Sequence, residues 1–184
     1  GDELSGHAAI VDPSWDVNRV LALAAEKSLR IRYILNTHTH QDHCSGNGKV
    51  VEKTGARVLA NERATVRKDA VIRDGDVVRV GTIEAKVIYS PGHSPDGTCF
   101  LVDQKLLTGD TLFVGECGGV TYGDPRALYE SLFNRILRLD DAIEVFPGHD
   151  YGERPSSTIG YERRNNYTLK PRSKEQFVRF MMEP

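Results

Sequence analysis

Long apolar runs and abundant cysteine are both lacking in this chain of 184 residues. No apolar stretch approaches the roughly 20 residues that a membrane-spanning helix requires, so no membrane association is expected. There are three cysteines, and this small, odd number disfavours a disulfide scaffold and indicates a reducing compartment. The first residues, Gly1-Asp2-Glu3, do not form a secretion signal. These absences predict a cytoplasmic protein.

An excess of one charge is lacking as well. The 24 Lys and Arg residues nearly balance 26 Asp and Glu residues, which gives a net charge of −2. The basic residues are scattered along the chain, so no nucleic-acid partner is expected. Because there is no linker, repeat or low-complexity segment, residues 1–184 are expected to form one domain. The missing initiator methionine indicates a trimmed N-terminus, and nothing in the sequence predicts an oligomeric state.

Histidine is not abundant, with six residues in all, but three of them are concentrated in one stretch. His38, His40 and His43 lie with Asp42 directly after residues 32–36, whose apolar pattern predicts a buried strand. If the extended geometry continues to His40, then His38 and His40 point to the same side and can bind one ion. The turn that follows can aim Asp42 and His43 at a second ion. Solvated loop histidines are the alternative, which this density disfavours.

Three further candidate ligands follow predicted strands, and each has a glycine beside it. They are His93, Asp110 and His149, which come directly after Gly92, Gly109 and Gly148. Glycine lets the backbone turn sharply and approach an ion closely. A lone histidine in such a place is more often structural, but the recurrence of the pattern favours metal ligands. Two ions that share one carboxylate need close to seven ligands, and seven are available: His38, His40, Asp42, His43, His93, Asp110 and His149.

Alternating and helical patterns predict the elements that carry these residues. Asp16, Asp124 and Ser173 are the expected N-caps of three of the helices. The predicted strands are Ala8–Val11, Ala56–Ala60 and Glu144–Phe146, with hairpins over residues 77–88 and 99–107. The predicted helices are Val17–Lys27, Gly48–Lys53, Pro125–Leu139 and Lys174–Met182, and a short helix or turn is expected over Asn61–Lys68.

None of the three cysteines is expected to be a nucleophile. Cys99 lies in an apolar strand and is predicted to be a core residue. Cys44 would compete with a bound hydroxide, so it is assigned to packing. Cys117, on a loop near Asp110, is the best remaining candidate for a nucleophile, but a structural role is favoured for it too.

The ordered series of His38-Thr39-His40-Gln41-Asp42-His43, Gly92-His93, Gly109-Asp110 and Gly148-His149 resembles the full motif series of the metallo-β-lactamase-fold hydrolases. The resemblance covers nearly the whole chain and implies an α/β fold: a four-layer αβ/βα sandwich of two mixed β-sheets flanked by helices. It implies that His38, His40 and His93 bind a first ion. It further implies that Asp42, His43 and His149 bind a second ion and that Asp110 bridges both. Asp12 matches a position that supports the ligands from behind, and members of the family usually have one more strand before Gly1.

Two branches of this superfamily are similar to the chain. Residues 109–113 and 115–118 resemble glyoxalase II, a hydrolase of glutathione thioesters, whereas residues 149–178 are more similar to the persulfide dioxygenases and to compact glyoxalase-II-like proteins. Class B β-lactamases carry cysteine where Asp110 stands, so lactam hydrolysis is disfavoured. Both branches usually place a basic residue that contacts glutathione where this chain has Gly119. Another small thiol or thioester is therefore considered as the substrate.

The ligand set and the resemblance together predict a metal-dependent hydrolase, in which a metal-bound hydroxide attacks a small thioester of the hydroxyacylglutathione type. Asp42 and Asp110 are the predicted catalytic residues and hold two divalent ions, zinc foremost, with iron or manganese as alternatives. The alternative function is a mononuclear iron persulfide dioxygenase, whose iron would be held by His38, His93 and Asp110. A non-enzymatic metal-binding module is disfavoured, because seven ligands around two ions leave room for water.

Overall fold

The computed structural model describes residues 1–170 and 172–183, and two β-sheets form its centre. The first sheet has four strands in the order β1-β2-β3-β4, and every described pair in it is parallel. Parallel sheets are usually covered on both faces, which agrees with the runs of buried residues in these strands. The strands are β1 (His7–Val11), β2 (Arg30–Leu35), β3 (Arg57–Asn61) and β4 (Ala70–Ile72).

The second sheet has six strands in the order β10-β9-β8-β7-β6-β5. Its pairs are antiparallel except for β8 and β9, which run parallel, so this sheet is mixed. The strands are β5 (Val77–Val80), β6 (Ile83–Tyr89), β7 (Thr98–Val102), β8 (Lys105–Gly109), β9 (Glu144–Pro147) and β10 (Ser157–Thr158).

Helices cover the outer face of each sheet. Apolar residues of α1 and α3 pack with Ile34 and Val58 of the first sheet, while α4 and α6 pack on the second sheet around Leu106 and Val145. A third cluster lies between the sheets and includes Phe100. The predicted α/β fold of two sheets flanked by helices is therefore confirmed, but the prediction that both sheets are mixed is wrong for the first sheet, whose described pairs are all parallel. The helices are α1 (Val17–Glu26), α2 (Gln41–Cys44), α3 (Asn47–Thr54), α4 (Pro125–Asn134), α5 (Ile159–Asn165) and α6 (Lys174–Met182).

The strand directions bring the candidate ligands to one edge of the sandwich. Strand β6 runs antiparallel to β7 and β7 antiparallel to β8, so β6 and β8 point the same way, and β9 is parallel to β8. The carboxyl ends of these three strands therefore share an edge, and the loops after them carry His93, Asp110 and His149. The loops after β1 and β2 supply Asp12 and the histidine-rich stretch at the facing edge of the first sheet.

Several elements differ from the sequence predictions. Strand β2 ends at Leu35 and does not continue to His40, and Gln41–Cys44 form one short turn of helix. Helix α4 ends at Asn134, after which a separate 3-10 turn spans Ile136–Arg138. Residues 62–68 form turns without a helix. The patterns did not predict β4, β10 or α5, which are short elements of two to seven residues.

The three predicted N-caps are all present. Asp16 accepts a hydrogen bond from the backbone N–H of Arg19, and Asp124 accepts from two N–H groups of the first turn of α4. Ser173 and Gln176 form a complete capping box at the start of α6. No helix within residues 1–170 and 172–183 combines the length and apolar character needed to cross a membrane. That residues 1–184 form a single domain stays a prediction.

Candidate metal centre

His38, His40 and His93 form a first group of imidazoles at the edge of the sandwich. His38 Nε2 lies 3.0 Å from His40 Nδ1, and His93 Nε2 lies 3.1 Å from the same atom. His38 and His40 come from the loop after β2, and His93 comes from the loop after β6. Extended backbone at His40 continues to the start of α2, which keeps both histidines on one side although the strand itself has ended.

Asp42, His43 and His149 form a second group beside the first. His149 Nε2 is 3.1 Å from His43 Nε2 and 3.2 Å from Asp42 Oδ2. Asp42 and His43 lie in the single turn of α2, and His149 follows β9 across the edge. In each group the ligand atoms all lie within 4.8 Å of one another, so each group is compact enough to surround one cation.

Asp110 stands between the two groups. Its Oδ1 is 3.2 Å from His43 Nε2, while its Oδ2 is 3.5 Å from His149 Nε2 and 3.7 Å from His93 Nε2. The residue is buried, and Oδ1 has no hydrogen-bond partner of good geometry among the described residues. A buried carboxylate oxygen without a donor is costly unless a cation neutralises it. The position therefore suits a bridge between two ions.

The outward ring nitrogens of three histidines are held by acceptors. His43 Nδ1 donates to Asp12 Oδ2 at 2.9 Å, and His93 Nδ1 donates to the backbone carbonyl of Gly119 at 2.7 Å. His38 Nδ1 faces the hydroxyl of Thr37 at 3.1 Å. Such bonds fix the tautomer of each imidazole in its neutral form, in which the inward Nε2 atom carries the lone pair. Ring nitrogens that lie about 3 Å apart with converging lone pairs fit a cation well. The nitrogen and oxygen donor set suits zinc, iron or manganese.

Asp12 supports this site from behind, as the resemblance implies. Its carboxylate accepts hydrogen bonds from the backbone N–H and the hydroxyl of Thr37 in addition to the bond from His43. Asp12 could also be grouped with His38 and His43 as a ligand set. It contacts His43 through the outward nitrogen, however, which makes it an orienting group.

Two glycines make room for the close approach of the ligands. A Cβ atom on Gly148 would lie 2.5 Å from Asp110 Oδ1 and 2.7 Å from His43 Cε1. A Cβ atom on Gly118 would lie 2.0 Å from the Asp110 carbonyl oxygen and 2.8 Å from His93 Nδ1. Only residues without a side chain fit at these positions, which explains why glycine occurs beside the candidate ligands.

Electrostatics at the centre favours the cation-binding protonation states of His38 and Asp110, but not that of His43. Burial, together with the neighbouring histidines, lowers the pKa of His38 to about 2, so its imidazole is neutral near pH 7. Burial alone would raise the pKa of Asp110, but its close contact with His43 holds that pKa below the usual value. Burial would likewise lower the pKa of His43, yet Asp110 and Asp12 outweigh it and raise the pKa to about 10. A cation arriving there would have to displace this proton.

The structure brings all seven predicted residues together: His38, His40, Asp42, His43, His93, Asp110 and His149. Their role as metal ligands stays a prediction. Sequence reasoning missed the carbonyl of Gly119 as the partner of His93, because a backbone acceptor leaves no mark in the residue types. Cys99 and Cys117 are buried, and burial raises the pKa of each thiol to about 11. Cys44 is half-buried, and its thiol pKa is raised too, so none of the three favours a thiolate.

Comparison with known proteins agrees with the family resemblance seen in the sequence motifs. Residues 3–149 match the family model described as the metallo-beta-lactamase superfamily. The chain is 43% identical over 149 residues to a protein named hydroxyacylglutathione hydrolase from Anaeromyxobacter dehalogenans, with 79% of this chain and 58% of that protein covered. It therefore spans less than two thirds of that hydrolase's length.

Similarity to a second kind of relative covers nearly the whole chain. The human protein named persulfide dioxygenase ETHE1, mitochondrial, is 33% identical over 190 residues, which cover 98% of this chain and 73% of that protein. The crystal structure of ETHE1 from Myxococcus xanthus superposes with a TM-score of 0.94 at 34% identity, covering 98% of this chain and 82% of the other.

Proposed function

The chain belongs to the metallo-beta-lactamase superfamily, and from this premise we propose that it is a metal-dependent hydrolase that cleaves a small thioester. The observation that carries the proposal is that the second ligand group is as well assembled as the first. His43, His149 and Asp42 converge at 3.1–3.2 Å around His149 Nε2. A centre with a single ion would leave this group without a role as ligands, whereas a two-ion hydrolase uses all seven residues.

His38, His40 and His93 would hold one divalent ion, and Asp42, His43 and His149 a second. Asp110 would bridge the two ions, as its distances of 3.2–3.7 Å to histidines of both groups support. Zinc is the first choice, and iron or manganese would suit the same donors. Such ions supply Lewis acidity, since they acidify a coordinated water and polarise a carbonyl oxygen.

The protein's own residues keep the centre in order and need supply no strong general acid. Asp12 and the Gly119 carbonyl orient His43 and His93 by bonds of 2.9 Å and 2.7 Å. Asp42 and Asp110 are the proposed catalytic carboxylates. A thiolate leaves readily because the thiol pKa is about 8.5, so a thioester suits a site built almost entirely of ligands. Three unpaired cysteines are in keeping with a cytoplasmic location, which we also propose.

Glutathione is not a required part of this proposal. Gly119 is exposed, and a Cβ atom there would meet nothing within 4 Å. The fold would accept a basic side chain at this position, yet the chain has none. We therefore keep the acyl group and the thiol open to experiment.

The test combines elemental analysis of the purified protein with a panel of thioesters. About two zinc, iron or manganese ions per chain and metal-dependent release of thiol are expected. One ion per chain, or no release of thiol from any thioester at full metal loading, would contradict the proposal.

A persulfide dioxygenase is the second candidate, and the likeness to ETHE1 supports it, because that likeness covers 98% of the chain and includes the segment after His149. In this segment Glu162 is fully buried and accepts a hydrogen bond of 2.9 Å from the backbone N–H of Gly115. One iron per chain, with oxygen uptake on adding a persulfide and no thioester cleavage, would establish this function in place of the hydrolase.

A further inference from the structure

A cavity of about 500 Å³ lies beside the proposed metal centre and has no role in the chemistry described so far. Its walls come from residues 114–116, residues 151–153, α5 and the 3-10 turn Tyr167–Leu169. The side chains that define it are of two kinds, tyrosine rings and carboxylates: Tyr151, Tyr161 and Tyr167 with Glu116 and Glu153. No Lys or Arg is among the described residues that line it.

The cavity is close enough to the metal centre to hold part of a substrate. Tyr151 stacks on His149, with ring centroids 4.9 Å apart and an angle of 10° between the planes. Phe113 packs at 5.1 Å against Tyr151 and at 6.2 Å against His149. One aromatic ring therefore separates the cavity from a proposed ligand.

The carboxylates of the cavity are not neutralised by neighbouring cations. Within the part of the chain that the structure describes, neither Glu116 nor Glu153 has a Lys, Arg or His nitrogen within 4.0 Å. Glu116 is half-buried and accepts a hydrogen bond from the Tyr167 hydroxyl at 3.3 Å. The cavity is therefore lined by two carboxylates that have no cationic partner within this distance.

One tyrosine of the wall already contacts a cation, which is not itself among the residues that line the cavity. The guanidinium of Arg154 lies 4.4 Å from the centre of the Tyr161 ring, which is within the range of a cation–π contact. A ring face of this wall thus accepts positive charge in the folded protein, while Tyr151 and Tyr167 remain 63% and 51% exposed. Open aromatic faces beside free carboxylates are the usual surroundings of a bound ammonium group.

We propose that this cavity binds an ammonium group, and that the thiol part of the substrate is an amino thiol with a positive charge. The second half of this proposal rests on the proposed thioester hydrolysis, whereas binding of the cation does not. The tyrosine faces would provide cation–π attraction and the two carboxylates Coulomb attraction. The same negative charges would repel the carboxylates of glutathione, in agreement with the absence of a basic residue at Gly119.

Binding is tested on the wild-type, metal-loaded protein with choline chloride as the probe. Its uncharged isostere, 3,3-dimethylbutan-1-ol, is the matched ligand control. Ligand-observed NMR should show choline binding roughly tenfold more tightly, which corresponds to the strength of a partly desolvated cation–π contact. Equal binding of the two molecules, or no binding of either, would overturn the proposal.

Variants locate the binding in this cavity. Replacing both carboxylates (Glu116→Gln with Glu153→Gln) should weaken choline binding by about tenfold and leave the isostere unaffected. Tyr167→Leu, which removes one ring, should act in the same direction. The control is Glu84→Gln, because Glu84 is an exposed carboxylate paired with Arg79 on the β5–β6 hairpin. Equal loss of choline binding in the control and in the cavity variants would contradict the assignment.

Turnover separates the two proposals. Acetylthiocholine should be cleaved with a higher kcat/KM than S-(3,3-dimethylbutyl) thioacetate, and S-lactoylglutathione should be the poorest of the three. Cleavage of all three at equal rates would refute the amino-thiol substrate and leave the hydrolase intact. Choline binding without cleavage of any thioester would support the ammonium site in the cavity and refute the proposed hydrolase function. A preference for S-lactoylglutathione would instead assign the Arg154 side of the cavity to an anion.

Discussion

Asp110 is the residue that joins the two ligand groups, since its two oxygens lie 3.2–3.7 Å from histidines of both. We expect Asp110→Ala to abolish turnover and to reduce bound metal. The core strands do not depend on this side chain, so the far-UV circular dichroism spectrum and cooperative unfolding should be retained. The matched control is Asp150→Ala, because Asp150 is an exposed carboxylate next to His149. A variant that failed to fold would show that the carboxylate is structural.

Asp12 allows the effect of one orienting charge to be measured. Its φ of 46° lies in the left-handed region, which asparagine tolerates better than most residues, so Asp12→Asn changes the charge with little backbone strain. The variant weakens the hydrogen bond of His43 Nδ1, which lies 2.9 Å from the Asp12 carboxylate in the wild-type protein. Losing such a partner typically reduces metal affinity or activity by about 10- to 100-fold. Titration with zinc checks this, and an unchanged affinity would assign His43 to a different partner.

Gly148 permits a steric test of the second ligand group. A methyl group in Gly148→Ala would meet Asp110 Oδ1 at 2.5 Å and His43 Cε1 at 2.7 Å, and both groups are themselves buried. We expect the ratio of bound metal to protein to fall from about two towards one, with turnover lost. The control, Gly119→Ala, places the same methyl group in open space and should retain both ions. Two ions bound to Gly148→Ala would show that the second group is not a binding site.

At the scale of elements, a bidentate ion pair connects helix α4 to the hairpin of β5 and β6. Both Asp74 oxygens accept hydrogen bonds of 2.8 Å from Arg135, and Asp74 also accepts from the Tyr89 N–H. These contacts lower the pKa of Asp74, with Arg135 as the largest cause. A lowered pKa stabilises the folded state above the pKa of the unfolded chain, and this stabilisation is lost as pH falls through the folded value.

We therefore expect Asp74→Asn to reduce the free energy of unfolding by about 1 kcal/mol or less at pH 7, since the pair is half exposed. The amide oxygen of Asn can still accept from Tyr89, so the change isolates the charge. The difference between variant and wild type should vanish as the pH is lowered below 3.8, the usual pKa of the carboxyl group. Urea titrations at several pH values measure it, and a difference that persists in acid would point to a loss of packing.

The bounds of the strands and helices show which elements a sequence pattern can predict and which it cannot. Strands with strong alternation, such as β5 to β8, and helices with clear caps, such as α6, were predicted close to their actual ends. Strand β4 has three residues and β10 two, and such short pairs exist only because a neighbouring strand offers a free edge. Helix α4 ends early because Arg135, predicted to be helical, leaves helical geometry with φ −125° and ψ −70° and pairs with Asp74. These features depend on tertiary contacts that no local pattern records.

For the molecule as a whole, the convergence of the seven candidate ligands was predictable and their surroundings were not. The seven candidates stand out because histidine and aspartate recur after strands beside glycine, and parallel strands share an edge. The carbonyl that orients His93 and the cavity beside Tyr151 arise from segments that are distant in sequence. Such features emerge only when the loops at the sheet edge are assembled.

The proposed ions would connect loops from both sheets, which raises the question of whether the fold depends on them. The loop after β2 belongs to the first sheet, and the loops after β6, β8 and β9 belong to the second. Between the sheets, however, Leu35, Val87 and Phe100 are almost completely buried in one apolar cluster. We expect this cluster to keep the sheets together when the metal is removed.

Chelation should therefore abolish turnover and lower the midpoint of thermal unfolding, while the far-UV circular dichroism spectrum stays unchanged. Ions that bind only the folded state stabilise it by about 4 kcal/mol when present at 1,000 times their Kd, and that contribution disappears with them. Adding zinc back should restore both the midpoint and the activity, whereas magnesium, which prefers oxygen ligands, should not. Unfolding on chelation at room temperature would mean that the ions, and not the apolar cluster, hold the two sheets together.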